Sequence, residues 1–121
     1  MNGRQARARR TAELARLQHT LNAMKDATPR LVASLAGQDQ YLVGPVLVSI
    51  PALRDDYPAD IKTAIDRRRR ATLTGRCDCG AQRTITPRGG LHIAHTPACP
   101  AGDHNLHHLA AAHGLAIQHT A

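Results

Sequence analysis

No Phe and no Trp occur among the 121 residues, and Tyr41 and Tyr57 are the only aromatics. Any core is therefore aliphatic and modest, although hydrophobic residues make up 42% of the chain. A domain this small and this poor in aromatics draws on a metal, a partner or long helices for stability. Long apolar runs are missing too. The longest, from Tyr41 to Leu53, is interrupted by Gly44, Pro45 and Pro51 and is too short to span a bilayer. The Arg-rich start has no apolar stretch behind it, which excludes a secretory signal and makes a soluble cytoplasmic protein the expectation. An organelle transit peptide, also Arg-rich and acid-poor, is the lesser alternative. Cysteine is scarce and odd in number, three residues, which argues against a disulfide framework. Glu is scarcer still: Glu13 stands alone, so a zinc hydrolase would lack its usual Glu base.

What the chain does have is positive charge, with Lys+Arg 16 against Asp+Glu 9 and a net charge of +7. Fourteen of the basic residues are Arg and there are 21 Ala, a bias typical of GC-rich genomes such as those of actinobacteria and their phages. The charge is uneven. Residues 1–30 hold seven basic and two acidic groups, residues 31–66 two and five, and residues 67–88 seven and one. Residues 89–121 hold one acid, Asp103, and seven of the eight histidines. The sequence thus divides into a basic arm (1–36), an acidic strand-loop-helix middle (37–70) and a Cys/His module (71–121), with an arginine cluster where the last two meet.

The arm predicts one long helix, because residues 4–27 contain no Gly or Pro and are rich in Ala, Arg, Leu and Gln. Leu14, Leu17, Leu21 and Met24 fall at heptad spacing, a stripe that packs internally or seats a partner helix. Leu31 and Leu35 extend the stripe past Pro29, which predicts a kink or a second short helix there. Gly37-Gln-Asp-Gln40 reads as a helix end and turn. Tyr41–Val43 and Val46–Ile50 read as strands buried on both faces. Pro58 opens a second helix with Asp60 in its first turn and Arg67 to Arg70 in its last. Short strands follow at 71–76, 82–86 and 91–95, with a turn at Pro87-Arg-Gly-Gly90. A last helix runs from an Asp103 cap to His113 and stops at Gly114. The fold class is α+β: a long N-terminal helix, short strands, and a C-terminal zinc-stabilised β-hairpin with a helix.

The chemistry sits in Cys77-Asp-Cys79-Gly80, Leu91-His-Ile-Ala-His95 and Thr96-Pro-Ala-Cys99-Pro100. Three thiolates and one imidazole make a closed tetrahedral Zn2+ site. Cys77, Cys79 and Cys99 are the firm ligands, and His95 is the best placed fourth, ahead of His104, His92 and His113. Buried free cysteines beside a surface histidine cluster, or a Cys77/Cys79 redox pair, are the other readings of the same residues. The basic cluster of Arg67, Arg68, Arg69, Arg70, Arg76, Arg83 and Arg88, joined by Arg4, Arg7, Arg9 and Arg10 of the arm, predicts sequence-independent contact with nucleic-acid phosphates, DNA above all. Four successive arginines point all round a helix, so one or two face inward or toward a partner. With no aromatic platform, base stacking is not the mode.

The pattern Cys-Gly, then His, then Cys-Pro resembles the small Cys/His zinc-knuckle proteins of actinobacteria and their phages, which implies a metal-stabilised module and no activity. Residues 77–113 also resemble HNH-type nucleases. That resemblance implies a ββα-metal fold with His95 as general base, Asn105 as the central Asn and His113 as a later ligand of a divalent ion. Here the family's second Cys pair is missing, and His95 cannot be both structural ligand and base. The leading expectation is therefore a non-enzymatic, zinc-stabilised nucleic-acid-binding module. The alternative is a structural or interaction protein, such as a phage virion or inhibitor component, that docks or self-associates through Leu14, Leu17, Leu21 and Met24.

Overall fold

The computed structural model describes residues 3–88 and 90–117. It is an α+β fold of three helices, a three-stranded antiparallel sheet and a two-stranded one. The order is α1 (Gly3–Lys25), β1 (Arg30–Leu35), β2 (Gln38–Val43), β3 (Val46–Pro51), α2 (Ala59–Thr74), β4 (Arg83–Ile85), β5 (Leu91–Ile93) and α3 (Asp103–Ala112). No helix among the described residues is long and apolar enough to cross a membrane.

The long helix is present, but only the C-terminal half of its apolar stripe is covered. Leu21 and Met24 are buried while Leu14 is 51% exposed. Residues 3–16 are exposed apart from Ala6, which is half-buried, so the first four turns stand clear of the rest of the chain. After Pro29 the structure departs from the heptad reading. Residues 30–35 form β1 rather than a second helix, pairing antiparallel with β2 (Leu31 with Tyr41, Leu35 with Gln38) across a register shift between Leu31 and Ala33. Pro29 breaks the helix and Val32 is stiff at Cβ, and the backbone bonds that a helix would have made locally go to β2 instead. The link is a two-residue turn, Ala36-Gly37, with positive φ at both positions (52° and 76°), the conformation that matches strand twist in a hairpin.

β2 and β3 pair over their full lengths around a Gly44-Pro45 turn. Burial on both faces is not what they show. Val43, Ile50 and Pro51 are buried, yet Leu47 is exposed, as are Leu31, Val32 and Leu35 on β1. A three-stranded sheet covered by helices on one side leaves its other side open, whatever its apolar content.

α2 is the spine. Pro58 precedes it, and the Asp60 carboxylate accepts the Ile61 N–H at 2.8 Å. It runs one turn beyond Arg70 to Thr74, so residues 71–74 are helical rather than a strand. Helix-forming Ala71 and Leu73 carry it to Gly75, whose φ of +81° places it in the left-handed region that ends helices. Its first half packs Ile61, Ala64 and Ile65 against Leu106 of α3. Its last turn puts Ala71 against Cys77, Cys99 and Ala101. Between these two clusters sits Arg68, 7% exposed, donating to the Ala101 carbonyl and paired with Asp103.

β4 and β5 form the expected hairpin, slightly shorter than the sequence reading. Of its turn, Gly89 lies outside the described residues, and the Thr86 N–H donates to the Gly90 carbonyl. Gly102 rather than Asp103 occupies the N-cap of α3, and Asp103 stands in the first turn, where its charge complements the helix dipole and pairs with Arg68.

Docking of α1 rests on Leu21 and Met24. Leu21→Ala should cost about 3 kcal/mol in a urea titration. Leu14→Ala, at an exposed position of the same stripe, should stay within about 0.5 kcal/mol. Equal effects would contradict this packing. A second expectation concerns acid. The His113 hydrogen bond to Asp60 at 3.1 Å joins α3 to α2 and holds the Asp60 carboxyl below the usual carboxylate range. A depressed folded-state pKa contributes stability that is complete above the unfolded value, about 3.9, and is lost as pH falls through the folded one. His113→Ala should therefore flatten the acid-side loss of stability below roughly pH 4.

Candidate metal centre

Two turns and one strand end carry the four sequence-predicted ligands. In the first turn the Cys77 N–H donates to the Ala81 carbonyl and the Gly80 N–H to the Cys77 carbonyl, both at 2.9 Å. Gly80 follows Cys79 at φ +96°, a conformation closed to most residues, and it reverses the chain beneath the two sulfurs. In the second turn, which begins three residues beyond the end of β5, the Cys99 N–H donates to the Thr96 carbonyl at 2.9 Å, and His95 lies between that strand and the turn.

The result is one cluster. Cys77, Cys79, His95 and Cys99 each offer a ligand atom, and those atoms lie within 4.8 Å of one another. Cys77 Sγ and Cys99 Sγ are 3.6 Å apart, Cys99 Sγ and His95 Nδ1 3.6 Å, and Cys79 Sγ and His95 Nδ1 3.8 Å. All three cysteines are free, and these sulfurs are far outside bonding distance. Two sulfurs about 2.3 Å from a shared tetrahedral ion stand about 3.8 Å apart, and a sulfur and a nitrogen about 3.6 Å. The spacing suits a tetrahedral metal ion, and the four residues could hold one.

Electrostatics favour thiolate at the rim and oppose it in the interior. Hydrogen bonding from the Thr96 and then the Ala81 backbone, helped by the His95 ring, brings the Cys79 thiol down to about 5. Burial pushes Cys99 up. Arg67 lies beside the cluster: its guanidinium pKa is raised, first by the Cys77 side chain, and its Nε is buried with no hydrogen-bond partner among the described residues. Three clustered thiols, two of them buried, need a cation to ionise together. Arg67 offers part of that charge and a metal would offer the rest.

The other histidines weighed as fourth ligands go elsewhere. His104 stacks on His108 with ring centroids 6.2 Å apart, His92 is exposed, and His113 bonds to Asp60. Of the residues in the nuclease resemblance, Asn105 lies beside the Cys99 turn and His113 stands apart from it. The Asn105 amide donates to the Pro97 and Cys99 carbonyls at 2.7 and 2.8 Å, and His113 ends the same helix about 12 Å further along its axis. The Asn105 amide has a structural contact that the sequence reading did not assign to it. It staples the Cys99 turn to the first turn of α3, and its signal was the six-residue spacing from Cys99 to a polar residue in that turn.

The arginine cluster disperses. Arg67 faces the thiols and Arg68 is buried on Asp103. Arg69 bonds to Asp39 at 2.8 Å, the Pro51 carbonyl at 2.9 Å and the Tyr41 hydroxyl at 3.3 Å. Arg70 pairs with Asp66 on the surface, and Arg83 donates to the Thr72 carbonyl from a half-buried position. Only Arg76 and Arg88 of the seven are both exposed and free of an ion pair among the described residues.

Comparison of the chain with protein-family models, with curated proteins and with solved structures finds no match.

Titrated with Co2+ under reducing conditions, the full-length protein should take up one equivalent and develop thiolate-to-metal absorption. Cys99→Ser, which removes a buried ligand, should lose that absorption and the cooperative unfolding of residues beyond Gly75. Undiminished binding in the variant would place the metal elsewhere.

Proposed function

We propose that the chain is a small zinc-stabilised module that presents an arginine-rich helical arm to nucleic acid. The observation that carries the zinc half is the donor set: three sulfurs and one imidazole nitrogen at tetrahedral spacing. Soft thiolates with one imidazole favour Zn2+ over harder divalent ions. Four protein ligands fill the tetrahedron, which fits a structural ion rather than one with an open position for substrate. The ion would join the two turns and supply stability that a core without Phe or Trp does not.

The arm supports the other half. With most of the Arg67–Arg70 run engaged within the fold, the accessible positive charge lies on α1, where Arg4, Arg7, Arg9, Arg10 and Arg16 are exposed and Glu13 is the only acid. A helix with cations around it and no base-reading aromatics suits contact with phosphates along a groove, without sequence preference. Displaced counterions would supply the favourable free energy, so affinity depends on salt rather than on base sequence.

A second reading rests on apolar surface. Leu14 on α1 and Leu31, Val32, Leu35 and Leu47 on the sheet are exposed, which favours docking on a protein assembly.

The first reading predicts that random-sequence duplex DNA shifts at low salt and that log affinity falls linearly with log salt. Replacing Arg7, Arg9 and Arg10 by Ala should lower that slope by about three, one per lost phosphate contact, while the same change at Arg68 and Arg69 should act only through stability. A salt slope unchanged by the arm variant, or a stable oligomer with no shift, would move the assignment to the docking reading.

A further inference from the structure

Where the end of α1 meets the junction between α2 and β4, the chain forms a solvent-open pocket of about 300 Å³ whose lining includes Lys25, Thr74, Arg76, Gln82 and Arg83. Three of these side chains are cations, and no acid lines the space. Among the described residues, no carboxylate pairs with Lys25, Arg76 or Arg83, whereas Arg54, Arg68, Arg69 and Arg70 each have one.

The fold forces this concentration. Lys25 is the last residue of α1. Gly75 ends α2 and hands the chain to Arg76, which bridges Gln82 after the metal-binding turn doubles back. Arg83 is thereby laid across the helix end: a Cβ at Gly75 would stand 3.2 Å from its Nη1, and its other guanidinium nitrogen reaches the Thr72 carbonyl. The helix C-termini of α1 and α2 offer about half a negative charge each, which leaves three full cations under-compensated. Burial, with no anion to oppose it, pushes the Arg83 guanidinium down from its ordinary value.

We propose that this pocket seats a phosphoryl group, its oxygens held by the Arg76 and Arg83 guanidinium groups and the Lys25 ammonium, with Thr74 and Gln82 at the rim. A guanidinium fork matches two oxygens of a phosphate, and the lysine supplies a point charge beside it. The inference deepens the reading of α1 as a nucleic-acid arm and rests on it: Lys25 closes the helix whose exposed arginines begin at Arg4. A backbone phosphate seated at the root of the arm would fix its angle on a duplex, which contacts along the shaft alone would leave free.

The test titrates inorganic phosphate against chloride at matched ionic strength into the full-length, metal-loaded protein, followed by backbone amide NMR. Saturable shifts centred on Gly75, Arg76 and Arg83 are expected. Lys25→Ala and Arg76→Ala, both at exposed positions, should each weaken binding roughly tenfold, the loss of one charge-assisted hydrogen bond. Arg9→Ala should leave phosphate binding unchanged. Shifts that never saturate, or that persist in Lys25→Ala and Arg76→Ala, overturn the site. Duplex DNA separates the two sources of phosphate. Saturation by inorganic phosphate without duplex binding keeps the site, assigns it to a free phosphate ester and defeats the arm reading. Duplex binding that is unchanged in Arg76→Ala, without phosphate saturation, defeats the site and keeps the arm.

Discussion

Three sulfurs within a few ångströms of one another are the constraint from which the C-terminal half follows. Two thiols that share buried space resist joint ionisation, and the structure answers with backbone donors at Cys79, the Arg67 guanidinium beside Cys77 and a tetrahedral arrangement that a metal would complete. The turns that carry them are held by main-chain bonds and by the Asn105 amide, so the ligand geometry is set by the surrounding chain rather than by the thiols themselves. The cluster stands where other small domains place an aromatic core: Ala71, Ala101 and Ile93 pack around sulfur.

α2 connects this centre to everything else. One end buries isoleucines against α3, the other brings Ala71 under the cysteines, and its middle carries arginines that tie the sheet and α3 to the helix. The run Arg67 to Arg70 shows how four identical residues diverge on a helix. Successive positions are about 100° apart, so one faces the thiols, one the core, one the sheet and one the solvent.

That divergence marks what the sequence could and could not reveal. The long helix, the β4–β5 hairpin, the last helix and the four residues of the Cys/His cluster were legible, because capping, turn chemistry and Cys/His spacing are local signals. β1 was not. Leu31 and Leu35 continue a heptad from Leu21 and Met24, and only pairing with β2, a tertiary event, shows that the period had changed at Pro29. The partners of the arginines were equally hidden. Asp39 is thirty residues from Arg69 and Asp103 thirty-five from Arg68, and nothing in a charge count ties one to the other. Composition reported +7 correctly without showing which arginines are engaged within the fold.

The shaft of α1, from Gly3 to Arg16, has almost no tertiary contact to hold it helical. A helix of that length on its own is marginal in water, since nucleation is unfavourable and each added bond gains little. Arg4, Arg7 and Arg10 are also three residues apart and repel one another along one face. Its winding is therefore a helix–coil balance, set apart from the cooperative unfolding of the body to which Leu21 and Met24 anchor it. An anionic surface that neutralised those three charges would remove the repulsion and lengthen the wound segment, so that contact and stiffness would rise together.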